Sequence, residues 1–176
     1  MPKKLLAVID YQNDFVSGSL GFPGAAELED RIADKILRYK EEGHDVIFTL
    51  DTHTPDYLDT REGRFLPVPH CLEGAQGWKL YGKVASLCDP STPVFTKRTF
   101  GSMAFAQFLQ ERNYDEIEFV GVVSNICVLS NAVLAQAALP EATITIHADY
   151  VASNDAALHE KALTLMQHLH MDIIGP

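Results

Sequence analysis

Leu5-Leu6-Ala7-Val8-Ile9-Asp10 is an unbroken apolar run closed by a carboxylate, and its reading decides the fold class. A strand with one wet face alternates apolar and polar residues, whereas a run that is apolar at every position belongs to a strand covered on both faces. The pattern returns at Val46-Ile47-Phe48-Thr49-Leu50, again closed by an aspartate, Asp51, and at Val94-Phe95-Thr96, which leads into Lys97. Ile117 to Val120, Thr143 to Ile146 and the short Asp172-Ile173-Ile174 complete the set. Between these runs lie segments with helical spacing. Glu27 to Glu42 carries Leu28, Ile32, Ile36 and Leu37 and is stopped by Gly43; Met103 to Arg112 is a second. A third runs from about Cys127 to Leu139 before Pro140, and a fourth from Asn154, as N-cap, to His168. Buried strands alternating with helices predict an α/β protein: a doubly wound, mostly parallel sheet flanked by helices on both faces.

The chain has 176 residues, 47% of them apolar and 22% charged, which predicts one globular domain over 1–176. Lys and Arg number 14 against 24 Asp and Glu, a net charge of -10 that argues against nucleic acid or an anionic membrane as partner. Neither a signal peptide nor a run approaching the ~20 apolar residues of a membrane span is legible, so the expected location is cytoplasmic. Three cysteines, Cys71, Cys88 and Cys127, without short paired spacing do not make a disulfide framework or a thiolate zinc site. From Thr52 to Pro93 periodicity lapses into a loop rich in proline and glycine. A loop that long in a compact domain is commonly functional, so the site is expected to be built around 52–93.

In open α/β sheets ligands bind beyond the carboxyl ends of the strands. Those positions hold Asp10, Asp51, Lys97 and the turn before Cys127. Each alone has an ordinary reading: a turn cap, a solvated cation, a buried structural thiol. Together they bring two carboxylates, an ammonium and a thiol to one sheet edge. Cys127 falls in the first turn of a helix, where free N–H groups and the dipole are expected to favour thiolate, and Lys97 nearby acts in the same direction. Asp51 and His53, with His70 and Glu62 further along the loop, offer mixed oxygen and nitrogen donors of the kind that hold Zn, Fe or Mn. His44, His147, His159, His168 and His170 show no partner spacing and are read as surface or capping residues; Cys71 and Cys88 are read as structural.

These residues carry a family resemblance. Val8-Ile9-Asp10-Tyr11-Gln12-Asn13-Asp14-Phe15, Asp51-Thr52-His53, Pro69-His70-Cys71-Leu72-Glu73-Gly74, Lys97 and the turn Gly121 to Cys127 resemble the isochorismatase-like cysteine hydrolases, most of all the nicotinamidase/pyrazinamidase branch. The resemblance spans nearly the whole chain in the same motif order. It implies the isochorismatase-like hydrolase fold, a catalytic triad of Asp10, Lys97 and Cys127, and one divalent metal, zinc first and iron or manganese otherwise, on Asp51, His53, His70 and Glu62. It also implies a cis peptide at Val122-Val123, substrate contacts from Phe15, Phe100, Val122 and Val123, and a homo-oligomer. The activity it implies is hydrolysis of nicotinamide to nicotinate and ammonia through a thioester, with a small amide as partner. Phe65 and Trp78, in the loop, are further candidates for the pocket wall. Two segments depart from the usual pattern: Asp51-Thr52-His53-Thr54 stands where Asp-Trp-His-Pro is familiar, and Ser124-Asn125-Ile126-Cys127 where Thr-Asp-x-Cys is. The competing readings are a family hydrolase acting on another small amide or a vinyl ether, and a non-catalytic ligand-binding member.

Overall fold

The structure, a computed structural model, describes residues 2–175. Six strands form one parallel sheet: β1 (Lys4–Ile9), β2 (Asp45–Asp51), β3 (Val94–Lys97), β4 (Glu116–Val122), β5 (Thr143–Ala152) and β6 (Asp172–Ile174), in the spatial order β3-β2-β1-β4-β5-β6. The helices are α1 (Asn13–Val16), α2 (Pro23–Ala26), α3 (Glu29–Glu41), α4 (Arg61–Phe65), α5 (Gly82–Ser86), α6 (Met103–Arg112), α7 (Leu129–Ala138) and α8 (Ala156–His168).

Side chains alternate between the two faces of a strand, and β1 sorts the whole interior accordingly. Leu5, Ala7 and Ile9 join Ile47, Ile117 and Phe119 in a core closed by Phe105 and Leu109 of α6, Ala132 and Ala135 of α7, and Leu163 and Met166 of α8. Leu6 and Val8 point the other way, to Val46, Phe48, Val120 and Val122, under Ile32, Ala33 and Ile36 of α3. Both faces are thus dry, as the unbroken apolar runs require. The chain fills one side of β1 with β2 and β3 and the other with β4 to β6, so the switch in winding direction falls between β1 and β4. A crevice opens at that point beyond the strand ends.

Several boundaries differ from the sequence expectation for identifiable reasons. Helix α8 is capped by Asp155, whose carboxylate accepts from Leu158 N–H at 2.9 Å, and not by Asn154. Strand β5 runs on to Ala152 because its own residues 147–150 bulge out opposite Phe119 to Gly121 of β4, which breaks the apolar pattern without ending the pairing. The 52–93 segment carries a 3-10 turn at Tyr57–Asp59 as well as α4 and α5. His147 and His159 do have partners: His147 Nε2 lies 2.6 Å from Glu118 Oε1, and His159 Nδ1 shares a hydrogen bond of 2.9 Å with Ser124 Oγ. Glu118 is further held by Lys35 and by the Tyr39 hydroxyl, so β4 and α3 meet through a polar cluster within the second core's wall.

Candidate active site

The carboxyl ends of β1, β2 and β3 and the turn after β4 set the site. Strand register puts Asp51 directly beside Lys97, and Ile9 between Thr49 and Gly121. Asp10 leaves β1 with φ 46°, a left-handed conformation that turns the chain away from the sheet. Its carboxylate is fully buried. Oδ1 accepts from the Thr49 hydroxyl at 2.6 Å, while Oδ2 forms an ion pair of 2.6 Å with Lys97 Nζ. Lys97 Nζ also reaches Cys127 Sγ at 3.5 Å and Asp51 Oδ1 at 3.3 Å. One buried ammonium therefore sits among a carboxylate, a thiol and a second carboxylate.

Cys127 is delivered by a wide turn of π type, Ser124–Val128, that runs directly into α7. The Val122-Val123 peptide before it is cis, as the resemblance implies. The Asn131 side chain grips this turn, donating to the Cys127 carbonyl at 2.8 Å and to the Phe100 carbonyl at 3.0 Å. Gly121, at φ 113°, lets β4 pass against Ile9, since a Cβ there would collide with the Ile9 carbonyl.

Electrostatics in this nest follow from burial first. Burial lifts the Asp10 carboxyl above its ordinary range, with Lys97 pulling it back. Burial tends to discharge Lys97, but the Asp10 and Cys127 charges more than offset it and hold the ammonium charged. Cys127 is pushed well upward, by burial and then by Asp10, with Lys97 opposing. Of the influences expected on this thiol, Lys97 does favour thiolate, but burial and the neighbouring carboxylates act against it, so its proton needs a base.

A second cluster adjoins the first. Asp51, His53, Glu62 and His70 each offer a donor atom within 4.8 Å of the others. Asp51 Oδ2 is 3.0 Å from His53 Nε2 and 3.3 Å from His70 Nε2, and Glu62 Oε1 is 3.7 Å from both. His53 extends β2 past its end. The loop then returns beside it: His53 N–H donates to Cys71 O at 2.9 Å and Glu73 N–H to His53 O at 2.9 Å, which brings His70 opposite. His70 Nδ1 lies 2.8 Å from the Val68 carbonyl. A carbonyl only accepts, so Nδ1 carries a proton, and Nε2 is the ring atom that turns to the cluster, where it would bind an ion on giving up its own proton. Glu62 enters from the first turn of α4, a helix capped by Thr60. Two histidine nitrogens and two carboxylates around one point, with a carbonyl fixing one tautomer, fit a divalent ion of the zinc, iron or manganese kind. Hydrogen bonds from the two histidines and the charge of Lys97 outweigh burial and hold Asp51 well below the usual carboxylate range; burial and Asp51 raise Glu62.

Residues not singled out from sequence prove to be braces. Gln12, fully buried, donates to the Asp51 and Trp78 carbonyls at 2.9 and 2.7 Å and accepts from Asp51 N–H at 2.8 Å, tying the ends of β1 and β2 to the loop. Asp14 accepts from Cys71 N–H at 2.7 Å and so fixes the segment carrying His70. Both lie in the stretch after β1, where a polar side chain that follows a buried strand is the available signal.

A cavity of about 190 Å³ lies over Cys127 and is walled by Phe15, Phe22, Phe100, Val123 and Ile126, with Asp51, Glu62 and His70 along one side. Phe15, Phe100 and Val123, named above as expected substrate contacts, all line this cavity. Val122 does not: it is fully buried in the second core. Trp78 braces Thr52 through an Nε1 hydrogen bond of 2.8 Å, and Phe65 lines a separate outer cleft. Cys71 is fully buried in the second core and Cys88 half-buried against it.

The fold is a doubly wound α/β scaffold that gathers a carboxylate, an ammonium and a thiol at one sheet edge. Residues 4–175 match the isochorismatase domain model, and the chain belongs to that family. It is similar to the nicotinamidase/pyrazinamidase of Bacillus subtilis, with 32% identity, a TM-score of 0.87, and coverage of 98% of this chain and 100% of that one. The pyrazinamidase/nicotinamidase of Streptococcus mutans gives 28% identity and a TM-score of 0.87 over 98% and 100%. The nicotinamidase/pyrazinamidase of Mycobacterium tuberculosis is 28% identical over 151 residues, 73% of this chain and 76% of that protein. Among the described residues no helix is long and apolar enough to cross a membrane.

Proposed function

We propose that the chain is a metal-containing cysteine amidohydrolase that converts nicotinamide to nicotinate and ammonia. The observation that carries the reading is Lys97, buried and within 3.5 Å of Asp10, Asp51 and Cys127 alike, which couples a base and a nucleophile to the rim of the ion cluster. Burying three charged groups and a thiol is costly for stability, and such arrangements persist where chemistry needs them.

Asp10 takes the Cys127 proton, and the thiolate adds to the amide carbonyl carbon. Backbone N–H groups of Val123 and Cys127 receive the oxyanion. Asp10 returns the proton to the departing nitrogen, which leaves as ammonia and yields a Cys127 thioester. Water, deprotonated by Asp10, then adds to the thioester; the acid leaves and the thiol regains its proton. An Asp10 carboxyl raised by burial holds the proton between these steps, and Lys97 keeps the carboxylate and sulfur positions electrostatically matched. Asp51, His53, Glu62 and His70 would hold the ion, which supplies a Lewis-acidic anchor for a ring nitrogen. Phe15 and Phe100 flank an aromatic ring in a cavity sized for one.

Ammonia release from a panel of nicotinamide, pyrazinamide, benzamide and short aliphatic amides tests the reading. The expected outcome is turnover of nicotinamide and pyrazinamide ahead of the others. Turnover of an aliphatic amide with none of nicotinamide would overturn the substrate assignment.

A further inference from the structure

The cavity over Cys127 is bounded on one side by Glu62, Leu66, Phe100 and Ile126. These same residues also line a larger outer cleft of about 750 Å³. A single-ring amide fills the inner chamber, and the outer space is roughly four times that volume. Its lining is mainly apolar, with Phe65 at 77% exposure on its rim, but it contains two guanidinium groups, Arg61 and Arg98. Neither has a carboxylate within ion-pair distance among the described residues, although acids outnumber bases 24 to 14 in the chain. Arg61 lies over the Phe65 ring at 5.1 Å, which preorganises its guanidinium plane. Arg98 directly follows Lys97, the last residue of β3, so the cleft begins one residue beyond the reacting groups. Asp56, on the same wall, is hydrogen-bonded by Thr54 and pairs with neither arginine. Guanidiniums without an ion-pair partner, beside an apolar cleft that shares a wall with the thiol cavity, form a receptor for a carboxylate or phosphate carried on an apolar linker.

We propose that this cleft is a subsite for an anionic extension of the substrate, so that the enzyme also takes aromatic primary amides bearing a carboxylate tail that reaches Arg61 and Arg98. The proposal rests on the amidohydrolase reading for its chemistry, but the cleft can be tested by binding alone.

The test uses meta-substituted benzamides in matched pairs, with tails of increasing length ending in a carboxylate or in a neutral hydroxymethyl group. Affinity is measured by calorimetry on Cys127→Ala, in the same protein with Arg61→Gln, Arg98→Gln or both, and at low and high salt. The expected result is a preference for the carboxylate over its neutral twin of about five- to tenfold at one tail length. That ratio should shrink in each arginine variant, vanish in the double variant and erode with salt. Equal affinity within every pair, or a preference that survives the double substitution, would overturn the proposal. An arginine-dependent preference in a protein whose wild type hydrolyses no amide would refute the amidohydrolase reading and leave the subsite standing.

Discussion

Thr49 illustrates how a site depends on residues with no chemistry of their own. It sits at the buried end of β2, donates to Asp10 Oδ1 at 2.6 Å and accepts from Asp10 N–H at 3.2 Å, fixing the proposed base from two sides. Thr49→Val keeps the shape and removes both contacts. Leaving buried partners unsatisfied is expected to cost about 1–3 kcal/mol of stability, read as a fall in the denaturant midpoint. The lost hydrogen bond served the charged carboxylate, so the Asp10 pKa rises and the acid limb of the kcat/KM profile moves to higher pH; Thr49→Ser restores it. An unshifted limb would show that Thr49 does not tune the base. Asp10, Asp51, Lys97 and Cys127 were legible in the sequence because each follows a recognisable buried strand or its turn. Thr49 and Gln12 were not, since a polar residue inside or just after an apolar run does not disclose which strand will lie beside it.

At the level of elements, the sheet edge and the nucleophile turn depend on one glycine and one histidine. Gly121→Ala forces a Cβ onto the Ile9 carbonyl at a φ of 113° and is expected to cost roughly 3 kcal/mol or more, as lost soluble yield or a steep fall in Tm. A variant as stable as the wild type would mean that β4 can step away from β1. His159 of α8 braces the turn from outside through the buried Ser124 hydroxyl. His159→Ala is expected to lower stability by about 1–2 kcal/mol and kcat along with it, with KM changing less. A normal kcat in the destabilised variant would confine His159 to a structural role. The six strands and the four longer helices were read from periodicity, with ends displaced by up to six residues at β5, whereas the short α1, α2, α4 and α5 are too brief to show a period. Asn154 and Asp155 are both good caps by type, and only the chain's path past Ala152 selects Asp155.

Over the whole molecule, the order β3-β2-β1-β4-β5-β6 is what unites residues as distant in sequence as Asp10 and Cys127. Alternating elements announced a parallel sheet but not this order, and the 52–93 loop announced a site but not the return past His53 that brings in His70. That return also links metal to stability. The four donor residues join β2, α4 and the loop, so an ion bound at a thousandfold excess over its Kd would add about 4 kcal/mol, or roughly 10 °C in Tm. Chelation should therefore lower Tm by that order, zinc should restore it, and His70→Ala should abolish the response; an unchanged Tm on adding zinc would count against the site. The central claim, that Cys127 is the nucleophile, is tested most directly by nicotinamide turnover of Cys127→Ala in protein with unchanged metal content and Tm. A loss of about a thousandfold or more is expected. Turnover within about tenfold of the wild type would contradict it, because other routes to the amide would then suffice.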